Sequence, residues 1–340
     1  MAAVTKTPRP RPTVIALSVV AAVLLLSWWL FYRSPTTTNT ANGAHHDSFQ
    51  DCDNSWPQLN EIVQAKKTTK DCDNWMKSCK EQCIQKASTP IPKHIHFVSL
   101  NRPFSFMEWL AVVSARKFIK PDKITIYTDG QQDSCWWRRI APYIDHQIIL
   151  SMPGTSVLNG VKIEILSHMS DFLRFLILYH NGGIYMDTDV LILKSFDPLL
   201  QHQMVASEEC GSHVGTAVMM SQKHSCVMCR FAHLSCEMFN GGWATHAVHA
   251  LTVFMKNLDK EKEGVLVLPL KKGCLPLCWD GPGVERLYRT DAKDLRDYNI
   301  SELYSVHLYR HFRTDLLLKT VNNYKWIQTS KSLAANAVRG

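Results

Sequence analysis

Nowhere in this chain do five basic residues follow one another, although its formal net charge is +8. The positive charge is spread out. That argues against a nucleic-acid-binding face and suits a small phosphate-bearing ligand. Charge is missing altogether from Pro12 to Tyr32, a gap long enough for a helix of about 20 residues to cross a bilayer. No cysteine precedes Cys52, and all 11 lie from there onward. In an oxidising compartment most of them should pair, and an odd number leaves at least one free or intermolecular. Only one Asn-x-Ser/Thr sequence occurs, Asn299-Ile-Ser301, so Asn299 is the sole candidate for N-glycosylation.

What is present divides the chain into an amino-terminal anchor region and a large carboxyl-terminal domain. With 340 residues and 46% hydrophobic content, one large or two small domains can bury a core. Lys6, Arg9 and Arg11 precede the uncharged stretch and Arg33 alone follows it. The positive-inside bias then assigns residues 1–11 to the cytosol, 12–32 to a membrane span, and the rest to the far side. Trp28, Trp29 and Tyr32 fit an aromatic belt at that far face. The alternative is a cleaved signal peptide, which wants small residues where these aromatics stand. Residues 34–50 are rich in Thr, Asn, Ser and His and read as a flexible linker within a stem at 33–90.

Asp-Cys-Asp-Asn occurs at 51–54 and again at 71–74. Cys72, Cys79 and Cys83 share one face of a helix, and disulfides with Cys52 suit them, the pairing remaining open. Such a stem also offers a means of joining two chains into a homodimer. Cys226 and Cys229 with Cys274 and Cys278 can mimic a four-thiolate zinc site, but the compartment favours disulfides.

From residue 91 the pattern is α/β. Strands are expected at Ile91–Ser99, Lys123–Thr128 and His146–Leu150, with helices at Phe104–Ile119 and Ser134–Tyr143 between them. Alternation of this kind implies a parallel sheet covered on both faces, with ligands beyond the carboxyl ends of its strands. Phe97 and Ser99 can border a nucleotide base there, or Phe97 can be core; Trp136 and Trp137 are equally ambiguous. Short strands follow at Met204–Ser207 and Thr216–Met220, and helices at Cys226–Phe239 and Ala244–Leu258. His246 and His249 stand at helical spacing, better placed to line a groove than to bind a metal, since no third ligand is evident.

The densest signal runs from Ser170 to Leu193. Ser170 is placed to cap a helix whose residues Phe172–Tyr179 are apolar apart from Arg174. Asp171 and Arg174 share a face and must be paired or liganded if buried. Gly182-Gly183 ends the helix, a strand Ile184–Met186 follows, and Asp187-Thr188-Asp189 interrupts it. In extended chain the two carboxylates point the same way, and oxygen ligands so paired suit Mg or Mn.

This stretch resembles the DXD sugar-binding region of glycosyltransferases, in particular family 32 with its α-1,4-galactosyl- and α-1,4-N-acetylglucosaminyltransferases. The likeness is nearly continuous over about two dozen residues and extends more weakly over roughly 91–320. The resemblance implies a GT-A fold over 91–340, a nucleotide-sugar donor with UDP preferred, and Mn or Mg as cofactor. It also implies a single-pass type II enzyme of the Golgi membrane acting on a glycolipid or glycoprotein glycan with retention of configuration. By the same resemblance Asp189 ligates the metal, and Asp187 assists it or holds the donor. Asp171 and Arg174 fix donor hydroxyls. His307, within Val306-His307-Leu308-Tyr309 where relatives carry Val-His-x-Trp, completes the metal site. Tyr309 and Arg310 depart from the family pattern, as does the 241–250 region, which lacks the usual Gly-Pro. The rival readings are a GDP-mannose-dependent mannosyltransferase and a non-catalytic luminal sugar-binding protein.

Overall fold

The computed structural model describes residues 71–83, 89–150, 156–158, 160–273, 288 and 300–310. The expected span at 12–32, Cys52, Cys274, Cys278 and Asn299 lie outside them. Among the described residues no helix is long and apolar enough to cross a membrane.

The chain enters with helix α1 (Asp71–Gln82), then strand β1 (His94–Ser99), α2 (Phe106–Phe118), β2 (Lys123–Thr128), α3 (Cys135–Ile140) and β3 (His146–Ile149). A short hairpin, β4 (Ser156–Leu158) with β5 (Val161–Ile163), leads into α4 (Leu166–Asn181). Strands β6 (Gly183–Met186), β7 (Val190–Ile192), β8 (Met204–Glu209) and β9 (His213–Ser221) follow. The chain continues through α5 (Cys226–Glu237), a π-helical turn at Thr245–His249, α6 (Ala250–Lys256), β10 (Val265–Leu268) and β11 (Ser305–His307).

Seven strands form one sheet in the order β10-β8-β9-β6-β1-β2-β3. β3, β2, β1 and β6 run parallel, as do β8 and β10, while β9 is antiparallel to both its neighbours. The expected α/β class with a largely parallel sheet is therefore present. One apolar cluster lies between the sheet and α2 with α3, and another between the sheet and α4, α5 and α6. Helix α4 is apolar on nearly every side because it is enclosed. Leu173, Phe175, Ile177 and Leu178 are all buried, each contributing about 1.5–3 kcal/mol on burial.

Local signals start the helices. Ser105 caps α2, accepting from the Met107 N–H, while Glu108 accepts from the Ser105 N–H at 2.8 Å. Ser134 and Ser225 cap α3 and α5. Helix α4 differs from the expectation. It begins at Leu166, behind Ile165, which has no capping side chain. Ser170 thus sits in the second turn, and its hydroxyl is 3.3 Å from that of Tyr185. The Gly182-Gly183 stop is as expected. Gly182 closes α4 at φ +65 and Gly183 opens β6 at φ +102. A Cβ on Gly183 would collide with the His94 carbonyl and one on Gly182 would lie 2.6 Å from the Lys223 nitrogen, so no other residue fits either place.

Three disulfides fasten α1 to α5: Cys72–Cys236, Cys79–Cys229 and Cys83–Cys226. Cys226 and Cys229 are therefore not zinc ligands. The three cysteines of α1 are engaged within the chain and do not join two chains. Helix α1, placed by the sequence in the stem, is thus tied to a helix that packs on the sheet. Cys210 is also disulfide-bonded, and among the described residues Cys135 is the free cysteine, exposed on α3.

Candidate functional site

A cavity of about 740 Å³ opens beyond the carboxyl ends of β1 and β6. It is within the size range of small-molecule sites. Val98, Leu100 and Arg102 from the end of β1 line it, along with Asp187, Thr188 and Asp189 from the turn after β6. Phe97 does not. It is 0% exposed, packed in the α2 cluster, because alternation along β1 gives the cavity side to Val98. Trp137 is likewise core, and neither Ser99 nor Trp136 reaches the cavity.

Asp187 and Asp189 face the cavity for a different reason from the one expected. The segment is a tight turn, with the Val190 N–H donating to the Asp187 carbonyl at 3.1 Å, rather than an extended run. The turn is braced on every side. The Leu308 N–H donates to the Asp189 carbonyl at 2.9 Å, and the Arg310 N–H to Asp189 Oδ2 at 2.8 Å. Arg102 donates to the Thr188 hydroxyl at 2.7 Å. The buried carboxylate of Glu108, having capped α2, also pairs with the Arg310 side chain.

His307 arrives from 118 residues away because β11 pairs antiparallel with β7, setting His307 opposite Val190. Its Nε2 is 3.1 Å from Asp189 Oδ1. Burial would raise the Asp189 carboxyl, but His307 and the Arg310 N–H outweigh it and hold the group well below the usual carboxylate range. Burial would lower His307, but Asp189 prevails and raises it above the ordinary imidazole value. Asp187 is raised, burial outweighing the attraction of Arg174.

Ligand atoms of Asp187, Asp189 and His307 all lie within 4.8 Å of one another. Two carboxylates and an imidazole suit Mn or Mg. Both contacts of Asp187, from Tyr185 and from Arg174, fall on Oδ1. The buried Nδ1 of His307 has no hydrogen-bond partner. The donor set thus retains ligating capacity that the protein does not itself use.

Arg174 is fully engaged by protein. It meets Asp171 at 2.9 Å and Asp187 at 3.3 Å, donates to the carbonyl and hydroxyl of Thr216 at 2.8 and 3.2 Å, and reaches the Ser170 carbonyl at 3.4 Å. Its guanidinium also lies over the Tyr185 ring. With its five N–H groups so occupied, Arg174 holds the acidic groups in place and has no donor left for a sugar hydroxyl. Asp171 Oδ2 lies 3.1 Å from His246 Nε2, so buried His246 supports the floor of the cavity, while His249 lines its wall. Arg102, Thr216 and Glu209 belong to no local pattern in the chain, and only the assembled sheet brings them to the cavity.

Residues 48–206 match the family described as glycosyltransferase sugar-binding region containing DXD motif. Slightly less than half of the chain carries that similarity. Glucan organizing enzyme 1 of Cryptococcus neoformans var. grubii serotype A is 25% identical over 249 residues, 67% of this chain and 65% of that protein. The chain therefore spans slightly less than two thirds of that relative's length. Among solved structures, PaToxG glycosyltransferase aligns with a TM-score of 0.37 at 13% identity, over 83% of this chain and 98% of its own. The apo form of glycosyltransferase GlyE from Streptococcus pneumoniae TIGR4 aligns with a TM-score of 0.42 at 11% identity, over 64% of this chain and 54% of its own.

Proposed function

We propose that the protein transfers a hexose or N-acetylhexosamine from a UDP-sugar to a glycan acceptor, with retention, using Mn or Mg, and that its catalytic domain is of GT-A type. It would act in the Golgi lumen, anchored by residues 12–32. The observation that carries the reading is the convergence of Asp187, Asp189 and His307 in a braced turn at the floor of a ligand-sized cavity.

Asp189, Asp187 and His307 would hold the cation, which when bound offsets the charge of the diphosphate leaving group. Arg102, at the mouth of β1 and already bonded to Thr188, is placed to meet the same diphosphate. Asp171 keeps unused acceptor capacity toward donor hydroxyls, since a carboxylate accepts about four hydrogen bonds. Arg174 keeps Asp171 and Asp187 aimed. Trp243 is 52% exposed and lines the cavity with His249. An exposed indole beside polar groups suits the apolar face of an acceptor sugar.

The test is nucleotide release by the detergent-solubilised full chain over a panel of donors. The panel includes UDP-galactose, UDP-N-acetylglucosamine, UDP-glucose and GDP-mannose, each with Mn and with chelator. Release with a UDP-sugar that chelation abolishes and Mn restores is expected. Release with GDP-mannose alone would replace the donor assignment, and no release with any donor would favour a non-catalytic sugar-binding role.

A further inference from the structure

Four carboxylates line the cavity: Asp171, Asp187, Asp189 and Glu209. Three have partners. Asp171 meets Arg174 and His246, Asp187 meets Arg174 and Tyr185, and Asp189 meets His307 and the Arg310 N–H. Glu209 has none. It ends β8, is 6% exposed, and forms neither a side-chain hydrogen bond nor an ion pair among the described residues. Its neighbour Glu208 turns to the other face and accepts from the Leu270 N–H at 3.1 Å. A buried carboxylate with no partner is costly to keep, and native structures keep such groups where a function needs them.

The surroundings of Glu209 indicate what it meets. Its cross-strand partner is His213, whose Nδ1 is engaged with the Cys210 carbonyl. Of the two arginines that line the cavity, Arg174 is taken up by Asp171 and Asp187, and Arg102 by Thr188 and Glu108. Glu209 is thus the cavity carboxylate that no hydrogen bond or close ion pair holds, His307 and His213 attracting it only at longer range. A sugar leaving a diphosphate gathers positive charge at its anomeric carbon, as in other glycosyl transfers. A fixed anion beside that carbon stabilises the transition state more than the ground state.

We infer that Glu209 is a catalytic residue, the anion that faces the anomeric carbon of the transferring sugar. This rests on reading the cavity as the donor site. In the step, the bond from the anomeric carbon to the diphosphate oxygen breaks and its electron pair goes to that oxygen. The acceptor hydroxyl oxygen forms the new bond, and its proton passes to the departing phosphate. Glu209 neither makes nor loses a bond and keeps its charge throughout.

The test compares Glu209→Gln and Glu209→Ala in the solubilised full chain. It reads UDP affinity with Mn by calorimetry, thermal unfolding, and kcat and KM for donor. Glutamine keeps the size and a hydrogen-bonding group but removes the charge. The expected result is unchanged UDP affinity and folding, donor KM within about threefold, and kcat down by on the order of 10²–10³ in the glutamine variant, with partial recovery of the alanine variant by added formate. A glutamine variant with near-normal kcat would show that Glu209 only binds a hydroxyl, overturning the inference. So would a loss of kcat that merely tracks lowered melting temperature or lowered UDP affinity. Failure of the wild-type protein to bind UDP with Mn would instead overturn the donor-site reading itself.

Discussion

The two sides of the cavity are built on opposite plans. The acidic side, from Asp187 to Asp189 with His307 and Arg310, is cross-braced by strand pairing, main-chain hydrogen bonds and buried ion pairs. The opposite rim runs through Gly241, at φ +80, into the exposed Trp243 and the π-helical turn at Thr245–His249, where the His249 N–H reaches the Ala244 carbonyl at 3.0 Å. Such π-turns recur at functional sites. The contrast fits the roles proposed above for each side. On the proposed reading, a cation and a diphosphate would need ligands fixed to within fractions of an ångström, whereas a platform for an acceptor sugar would need surface rather than fixed bonds.

Substitutions should strike the two sides unequally. The largest effect is expected at Asp189→Asn, which keeps shape but removes a charged ligand. Transfer should fall on the order of 10³-fold with the melting temperature nearly unchanged, and ordinary turnover in that variant would sever the turn from catalysis. Arg174→Ala comes next, leaving Asp171 and Asp187 without their shared partner and costing roughly 3–5 kcal/mol of stability. Arg174→Lys should fold better but restore turnover poorly, since an ammonium cannot reproduce the planar fork. Chemical denaturation of both variants beside turnover per folded molecule decides this, and a lysine variant with full turnover would refute the need for the fork. Replacing Cys79 and Cys229 together by serine removes a staple remote from the cavity. A loss of about 2–5 kcal/mol is expected with donor KM unchanged; an altered KM would tie the staple to the site. Trp243→Ala should leave donor kinetics alone and raise acceptor KM roughly tenfold, about 1.4 kcal/mol. An unchanged acceptor KM would remove Trp243 from the acceptor side.

A separate effect concerns pH. Burial, reinforced by neighbouring positive groups, holds His94 and His180 at about 4, below their ordinary 6.5. Between pH 6.5 and about 4 the unfolded chain binds protons that the folded chain refuses. Stability therefore rises with pH across that window and is fully present above it. Melting temperatures taken in steps from pH 4.5 to 8 should climb and then level off, less steeply in a His94→Gln, His180→Gln double variant. Identical slopes in the two proteins would exclude these histidines as the cause.

Legibility in the sequence followed the range of the interactions. The strand–helix alternation and the double glycine are local, and they were readable because φ > 0 and apolar periodicity leave a mark in the chain. The start of α4 was not, since Ile165 carries no capping signal and Ser170 resembles one while serving Tyr185 instead. Asp171, Arg174, Asp187 and Asp189 were nameable as a group, but not the direction of their bonds. That Arg174 serves its neighbours rather than a ligand depends on Thr216, 42 residues on. The meeting of His307 with Asp189 was expected only through the family resemblance and depends physically on the β7–β11 pair. Glu209 left no sequence signal, because a lone glutamate at a strand end becomes distinctive only once the fold buries it beside the cavity without a hydrogen bond or close ion pair.

The measurement that bears most directly on the account is Mn binding itself, followed by electron paramagnetic resonance on the solubilised full chain with UDP present. One site is predicted in the wild-type protein, weakened at least 10–100-fold by Asp189→Asn and by His307→Ala. Absence of binding in the wild type, or equal affinity in all three proteins, would contradict the assignment of Asp187, Asp189 and His307 as a metal centre.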